Sequence, residues 1–269
     1  MITVALAGKP NSGKSTFFKA ATLADVEIAN YPFTTIDANH GVAYVRVTCP
    51  CAGLRVTCGN CRDGARFVPI GLVDVAGLVP DAHKGRGLGN QFLDHLREAD
   101  AILHIVDASG GTDAEGNPLS PGAHDPCEDI TFLNREMTMW IYGILEKHWP
   151  KLQRMAQARN FSMAQSIAEV FAGLSITAEQ VHEAELTIPH ELHRSSTEEL
   201  IAFCGTLLAS TKPMLVVGNK VDTAPPACTN ALKSDRIVFA SAASELALRK
   251  AVEGKLIRYL PGDTIFSIE

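Results

Sequence analysis

Residues Gly8-Lys9-Pro10-Asn11-Ser12-Gly13-Lys14-Ser15 fit the phosphate-loop pattern G-x-x-x-x-G-K-[ST], and they lie between a short apolar run and a stretch with helical spacing. Backbone amides of such a loop, together with the positive end of the helix behind it, can cradle phosphate oxygens. Lys14 would reach the β- and γ-phosphates, the Ser15 hydroxyl would ligate Mg²⁺, and Thr16 belongs to the same nucleotide-contacting set.

Three further elements follow in order. Asp74-Val75-Ala76-Gly77 is a D-x-x-G at the end of an apolar run; Asp74 would hold Mg²⁺ through a water and the Gly77 amide would sense the γ-phosphate. Asn219-Lys220-Val221-Asp222 follows the run MLVV. There the Asp222 carboxylate could accept hydrogen bonds from guanine N1 and N2, which adenine does not offer. Asn219 would brace the loop, and the aliphatic stem of Lys220 would cover one face of the base. Ser241-Ala242 closes the last apolar run, where the Ala242 amide would meet guanine O6. Four elements in this order point to a guanine-nucleotide switch.

Together with Tyr31-Pro32-Phe33-Thr34-Thr35, the segments DVAGLV, AHKGRGLGNQF, NKVD and SAASE resemble the Obg superfamily of translation-factor-related GTPases, and within it the YchF/Obg-like ATPase family in its archaeal form. TDAEGNP, HDPCEDI and YLPGD add to the likeness, which covers about 1–145 and 212–269 well and the region between loosely. The resemblance implies that Thr35 is the switch I threonine, completing the Mg²⁺ shell and touching the γ-phosphate. It also implies a ribosome or ribosomal RNA or protein partner. The chain departs from the family in two places. Many members carry N-x-x-E and prefer ATP, whereas Asp222 points back to GTP; and the family usually ends in a TGS module, whereas this sequence stops at Glu269, as either a truncated piece or a form lacking that module would.

Hydrolysis needs an oriented water, and Ras-like proteins place a glutamine after D-x-x-G to hold it. Here that position is Leu78, which can neither donate nor accept a hydrogen bond, so intrinsic turnover is expected to be slow. In related GTPases an asparagine at the position of Asn11 helps bind K⁺, which could stabilise transition-state charge as an arginine finger does; Asn11 could equally be an asparagine tolerated in the turn. His83 and Arg86 lie in a glycine-rich segment, while His104 sits on an apolar run as a core histidine would. None of these is assigned as a general base.

Cys49, Cys51, Cys58 and Cys61 form C-x-C-x₆-C-x₂-C between two β-branched runs. Their spacing leaves three outcomes open: a structural Zn²⁺, free or redox-active thiols, or disulfides. Cys127, Cys204 and Cys228 are isolated and read as packing residues.

These sites require a scaffold. Apolar runs at Ile2–Ala7, Asn39–Val47, Phe67–Val75, Ala101–Val106, Met214–Val217 and Ile237–Ala240 read as strands, and Lys14–Leu23, Gly89–Glu98 and Ser244–Leu256 as helices. Their alternation predicts an α/β P-loop NTPase fold, a doubly wound and mostly parallel sheet. From Asp129 to Ser210 the spacing is helical throughout, and Ser196 with Glu199 resembles a capping box. The expected organisation is a first part of the G domain over 1–128 with a Cys-rich hairpin at 48–65, a coiled-coil-like helical insertion over 129–210, and the second part over 211–269.

With 269 residues and a net charge of -6, the chain is too acidic for a broad nucleic-acid-binding surface, so no DNA partner is expected. It has no basic n-region and no long apolar run, so the expectation is a cytoplasmic protein without a membrane partner; a monomer is expected separately. The favoured reading is a GTP-hydrolysing switch with GTP and GDP as ligands, Mg²⁺ as cofactor and K⁺ as a candidate second cation. The alternatives are an ATP-hydrolysing relative and a GTP-gated binding module with negligible turnover.

Overall fold

The computed structural model describes residues 1–23, 35–37, 40–62, 64–75, 77, 98–157, 161–188 and 190–269, with the side chains of 35–37 and 52 outside the description. Seven strands form one sheet: β1 (Thr3–Ala7), β2 (Thr35–Asp37), β3 (His40–Thr48), β4 (Ala65–Asp74), β5 (Ala101–Asp107), β6 (Met214–Asn219) and β7 (Ile237–Phe239), in the order β2-β3-β4-β1-β5-β6-β7. From β4 to β7 all neighbours are parallel; β3 runs antiparallel to β4, and β2 antiparallel to β3. β1 lies where the winding changes side, with β4 on one flank and β5 on the other. A crevice therefore opens at the carboxyl ends of these strands, where such sheets bind ligands.

The central strands β1 and β5 are covered on both faces and read as apolar runs, whereas the outer half of the β3–β4 hairpin and the edge strand β7 leave Val45, Val47, Val68 and Val238 exposed. Side chains alternate along β1. Leu6 joins Leu72, Ile105 and Val217 beneath Phe17 and Phe18 of α1 (Lys14–Thr22). Ala5 and Ala7 join the opposite core, which continues without a break into the helical region.

That region follows α2 (Cys51–Leu54) and consists of α3 (Pro126–Met155), α4 (Met163–Val170), α5 (Ala178–Glu185) and α6 (Thr197–Thr211). One 30-residue helix is thus buttressed by three shorter ones. Leu133, Met137, Ile141 and Leu145 of α3 are fully buried at helical spacing and meet Leu200, Cys204 and Leu207 of α6. Each large side chain buried in this way contributes roughly 1.5–3 kcal/mol.

Helix starts follow their caps more closely than their apolar stripes. α3 begins at Pro126, ahead of the periodic run from Asp129, because the Asp125 side chain accepts from Cys127 N at 2.9 Å and proline suits the first turn. α6 carries the expected Ser196–Glu199 capping box. After α7 (Pro226–Ala231), α8 spans Ala242–Glu253, two residues earlier than Ser244, because Ser241 is its cap. A two-stranded ribbon of β8 (Ile257–Arg258) and β9 (Ser267–Ile268) lies outside the sheet, and Arg46 bonds Asp263 at 2.6 Å beside it. The helix expected over Gly89–Glu98 lies outside the described residues except for its last position. Among the described residues, no helix is long and apolar enough to cross a membrane.

Candidate nucleotide-binding site

The loop from Gly8 to Gly13 leaves the carboxyl end of β1 and turns directly into α1. Gly13, at φ 95°, caps the helix in a left-handed conformation that an L side chain rarely adopts, and a Cβ there would collide with the Asn219 amide. This presents the first amides of α1 to the crevice. Lys14 is buried behind them, its Nζ donating to the carbonyls of Gly8 at 3.1 Å and Lys9 at 2.8 Å. Desolvation by burial pulls its pKa down to about 8, against the opposing pull of the Asp74 carboxylate. Ser15 is exposed in the first turn and Thr16 half-buried behind it.

Asn219 joins the distant elements of the crevice. It is buried at the end of β6, where its Nδ2 donates to Ser12 O and its Oδ1 accepts from Ala242 N, both at 3.0 Å. One side chain thereby links the phosphate loop, the NKVD turn and the start of α8. Here the Ala242 amide, expected from the sequence to meet guanine O6, donates to Asn219 Oδ1. Lys220 stretches back across the site, its Nζ bonding Asn11 O and Asp107 Oδ2, each at 2.8 Å. Asp222 is exposed in the one-turn segment that follows, and Ser241 is half-buried, its hydroxyl capping α8.

Sequence reasoning missed a set of residues that brace the loop from behind. The fully buried Asp107, at the end of β5, accepts from Ser109 Oγ at 2.6 Å, Thr112 Oγ1 at 2.9 Å and Lys220. Burial pushes its carboxyl up, but the donors from Lys220, Ser109 and Thr112 outweigh that and hold it below the usual range. The Lys9 side chain turns away from the crevice, leaving the backbone of this residue to the loop. Its Nζ donates to Thr112 O and forms an ion pair with Asp129 of α3, both at 2.8 Å, with Lys9 only 2% and Asp129 4% exposed. His124 also meets Asp129, at 2.8 Å. Asn11, itself left-handed at φ 59°, donates its Nδ2 to Gly116 O at 2.9 Å. That carbonyl is presented by a turn in which the Asp113 carboxylate accepts from the amides of Glu115 and Asn117. An aspartate ending a strand, as in AILHIVD, was the one available signal for this bracing.

Asp74 is half-buried at the end of β4, beside Leu6 in register. Gly77 comes so close to the phosphate loop that a Cβ would lie 2.9 Å from Pro10 N, so only glycine fits there without displacing Pro10. Thr35 is placed on β2 by its backbone, but its side chain, like Leu78, His83 and Arg86, lies outside the described residues. Ser15 and Asp74 supply hard oxygen donors of the kind Mg²⁺ takes. His104 on β5 is fully buried, and desolvation, with the nearby Lys14 ammonium adding to it, lowers its pKa to about 3; it is a neutral imidazole at physiological pH.

Away from the crevice, the four clustered cysteines converge at the tip of the β3–β4 hairpin, their sulfurs all within 4.8 Å of one another. Cys204 and Cys228 are buried packing residues, whereas Cys127 is half-buried in the first turn of α3.

A family model described as 50S ribosome-binding GTPase matches residues 3–136, and another, the G4 motif-containing domain of Obg-like GTPase YGR210-like, matches 217–269. A GTP-binding protein of Methanocaldococcus jannaschii is 43% identical over 98% of this chain and 68% of its own length. One from Schizosaccharomyces pombe is 39% identical over 97% of this chain and 66% of its own. Ribosome-binding ATPase YchF of Bacillus subtilis is 32% identical over 81% of this chain, which spans 56% of that relative. Among solved structures, a GTP-binding protein from Pyrococcus horikoshii is similar with a TM-score of 0.77 at 36% identity, over 97% of this chain and 70% of that one. Likeness that runs through the phosphate loop, the NKVD turn and nearly all the chain between them has one meaning: the chain belongs to the Obg-like GTPase family.

Proposed function

We propose that this chain binds GTP and GDP and hydrolyses GTP as a nucleotide-dependent switch acting on a ribosomal partner. The observation that carries the reading is the Asn219 side chain, which bonds both the phosphate loop and the start of α8 and so sets the NKVD turn beside the phosphate site. Asp222 then reads the guanine edge, and the stem of Lys220 walls the base site. Ser15 and Asp74, with Thr35 on β2, hold Mg²⁺, whose charge offsets the phosphate oxygens. Lys14 binds the β- and γ-phosphates from behind the loop. With Leu78 following DVAG, turnover is slow. The Asn11 amide is committed to Gly116 O, which leaves Oδ1 as the polar atom of that side chain for a K⁺ ligand. The partner assignment rests on the names of relatives, since several are ribosome-binding ATPases.

Those names also favour a second reading, ATP hydrolysis. Titration with GDP and ADP in Mg²⁺ decides between them: a preference for GDP of a hundredfold or more, about 2.7 kcal/mol, is expected if Asp222 reads the base. Equal binding, or tighter ADP, would overturn the GTPase reading. Multiple-turnover phosphate release from GTP is expected as well; none beyond the first turnover would leave only a GTP-gated binding module.

Affinity should also depend on pH. Lys14 is charged below its lowered pKa of about 8 and loses its proton above it. The GDP association constant should therefore be flat around neutral pH, where the GDP phosphates are ionised, and fall above about pH 8, by at most tenfold per pH unit for one coupled proton. For folding the sign is opposite: the buried ammonium disfavours the native state below pH 8, and this penalty fades as pH rises from 8 towards the unfolded value of 10.5. A pH-independent GDP affinity up to pH 9.5, measured calorimetrically, would remove the Lys14 ammonium from phosphate binding.

A further inference from the structure

The cysteine cluster takes no part in the nucleotide site. Cys49 follows β3, Cys51 opens α2, and Cys58 and Cys61 stand on the return towards β4. The closest sulfur pairs are Cys49–Cys58 at 3.5 Å and Cys51–Cys61 at 3.6 Å. Four thiolates about 2.3 Å from a tetrahedral ion are about 3.8 Å apart, so this cluster has the size of a single-ion S₄ cage. Sulfurs joined in pairs would sit near 2.0 Å instead.

The surroundings agree. Asn60 N–H donates to Cys58 Sγ at 3.4 Å, a contact that orients a ligating sulfur and stabilises its charge. Cys49 N bonds Gly64 O at 2.8 Å, and Arg62 and Ala65 exchange both backbone bonds, so the chain carrying the thiols is already looped back on itself. Apolar burial does not hold this tip, because Leu54 is 70% and Val56 58% exposed. A short excursion without its own core needs another tie. Among the described residues the cluster contains no histidine or carboxylate, and an all-thiolate set selects a soft or borderline ion over Mg²⁺ or Ca²⁺.

The geometry points to one structural Zn²⁺ bound by Cys49, Cys51, Cys58 and Cys61 in a closed tetrahedral site that folds the tip of the β3–β4 hairpin. The tip is remote from the nucleotide: the pair Thr48–Ala65 lies eight register steps from His40–Val73, or roughly 25 Å along the strands. Zinc loss should therefore leave GDP affinity largely unchanged.

The test is elemental analysis of the full chain purified without added metal, together with the double variant Cys51→Ser/Cys61→Ser. The wild type should carry about one zinc and the variant less than about 0.3, with GDP binding within about twofold of wild type. Should the variant fail to fold, mercurial titration of the wild type is the second measurement, and zinc should be released in step with modification of these thiols. Less than about 0.3 zinc in the wild type, iron in its place, disulfides found by mass before reduction, or zinc retained by the double variant would each overturn the assignment.

Discussion

Replacing Asp129 with alanine is expected to cost about 3–5 kcal/mol of folding stability, because it strands the Lys9 ammonium in the interior. Lys9 is 2% exposed, and besides Asp129 its Nζ meets the Thr112 carbonyl. A neutral carbonyl cannot compensate a buried charge, and removing one partner of such a pair costs far more than the pair contributes. The complementary variant makes the point sharper. Lys9→Met with Asp129→Leu removes both charges and keeps similar volumes, so it should be less destabilised than Asp129→Ala, the remaining loss coming from the bonds that His124 and the Thr112 carbonyl give up. Urea unfolding midpoints of the two variants check this. A loss under about 1 kcal/mol for Asp129→Ala would mean that the ammonium reaches water, contrary to its burial.

The second large effect belongs to Asn219. Asn219→Ala leaves Ser12 O and Ala242 N–H without their partner in a buried setting, at about 1–3 kcal/mol each. The phosphate loop and the start of α8 then lose their common brace. GDP affinity is expected to fall by ten- to a hundredfold or more, and ADP affinity by a similar factor, since loop geometry and not base reading is damaged. Asp222→Ala should do the reverse, reducing the preference for GDP over ADP while leaving ADP binding within a few-fold. Isothermal titration of both nucleotides against both variants separates the roles. Equal loss of base preference in the two variants would mean that Asn219 acts on the base as well as on the loop.

The longer strands were readable because burial makes their runs apolar, as in AILHIV of β5, whereas β2, β8 and β9, two or three residues each, are too short to carry a pattern. The phosphate loop and NKVD were readable because their chemistry is local to a few residues. What could not be read is the bracing, since no pattern in the chain relates Lys9 to Asp129 or Asn11 to Gly116, which only the fold brings together. The start of α3 was displaced for a different reason. Periodicity reports where the apolar stripe begins, whereas Asp125 and Pro126 mark where the backbone turns, and the first turn of this helix carries Glu128 and Asp129 in place of apolar side chains. The bond from the Ala242 amide to Asn219 Oδ1 was equally unreadable, because a motif gives the order of groups along the chain but not how they bond to one another.

Lys9 bolts the first turn of α3 to the loop that holds the phosphates. A 30-residue helix is about 45 Å long, so a tilt of about 5° at that bolted end carries the far end near Met155 through about 4 Å. Burial of Leu133, Met137, Ile141 and Leu145 against α6 opposes such a tilt, so the Lys9–Asp129 pair fastens the phosphate loop to the core of the helical region.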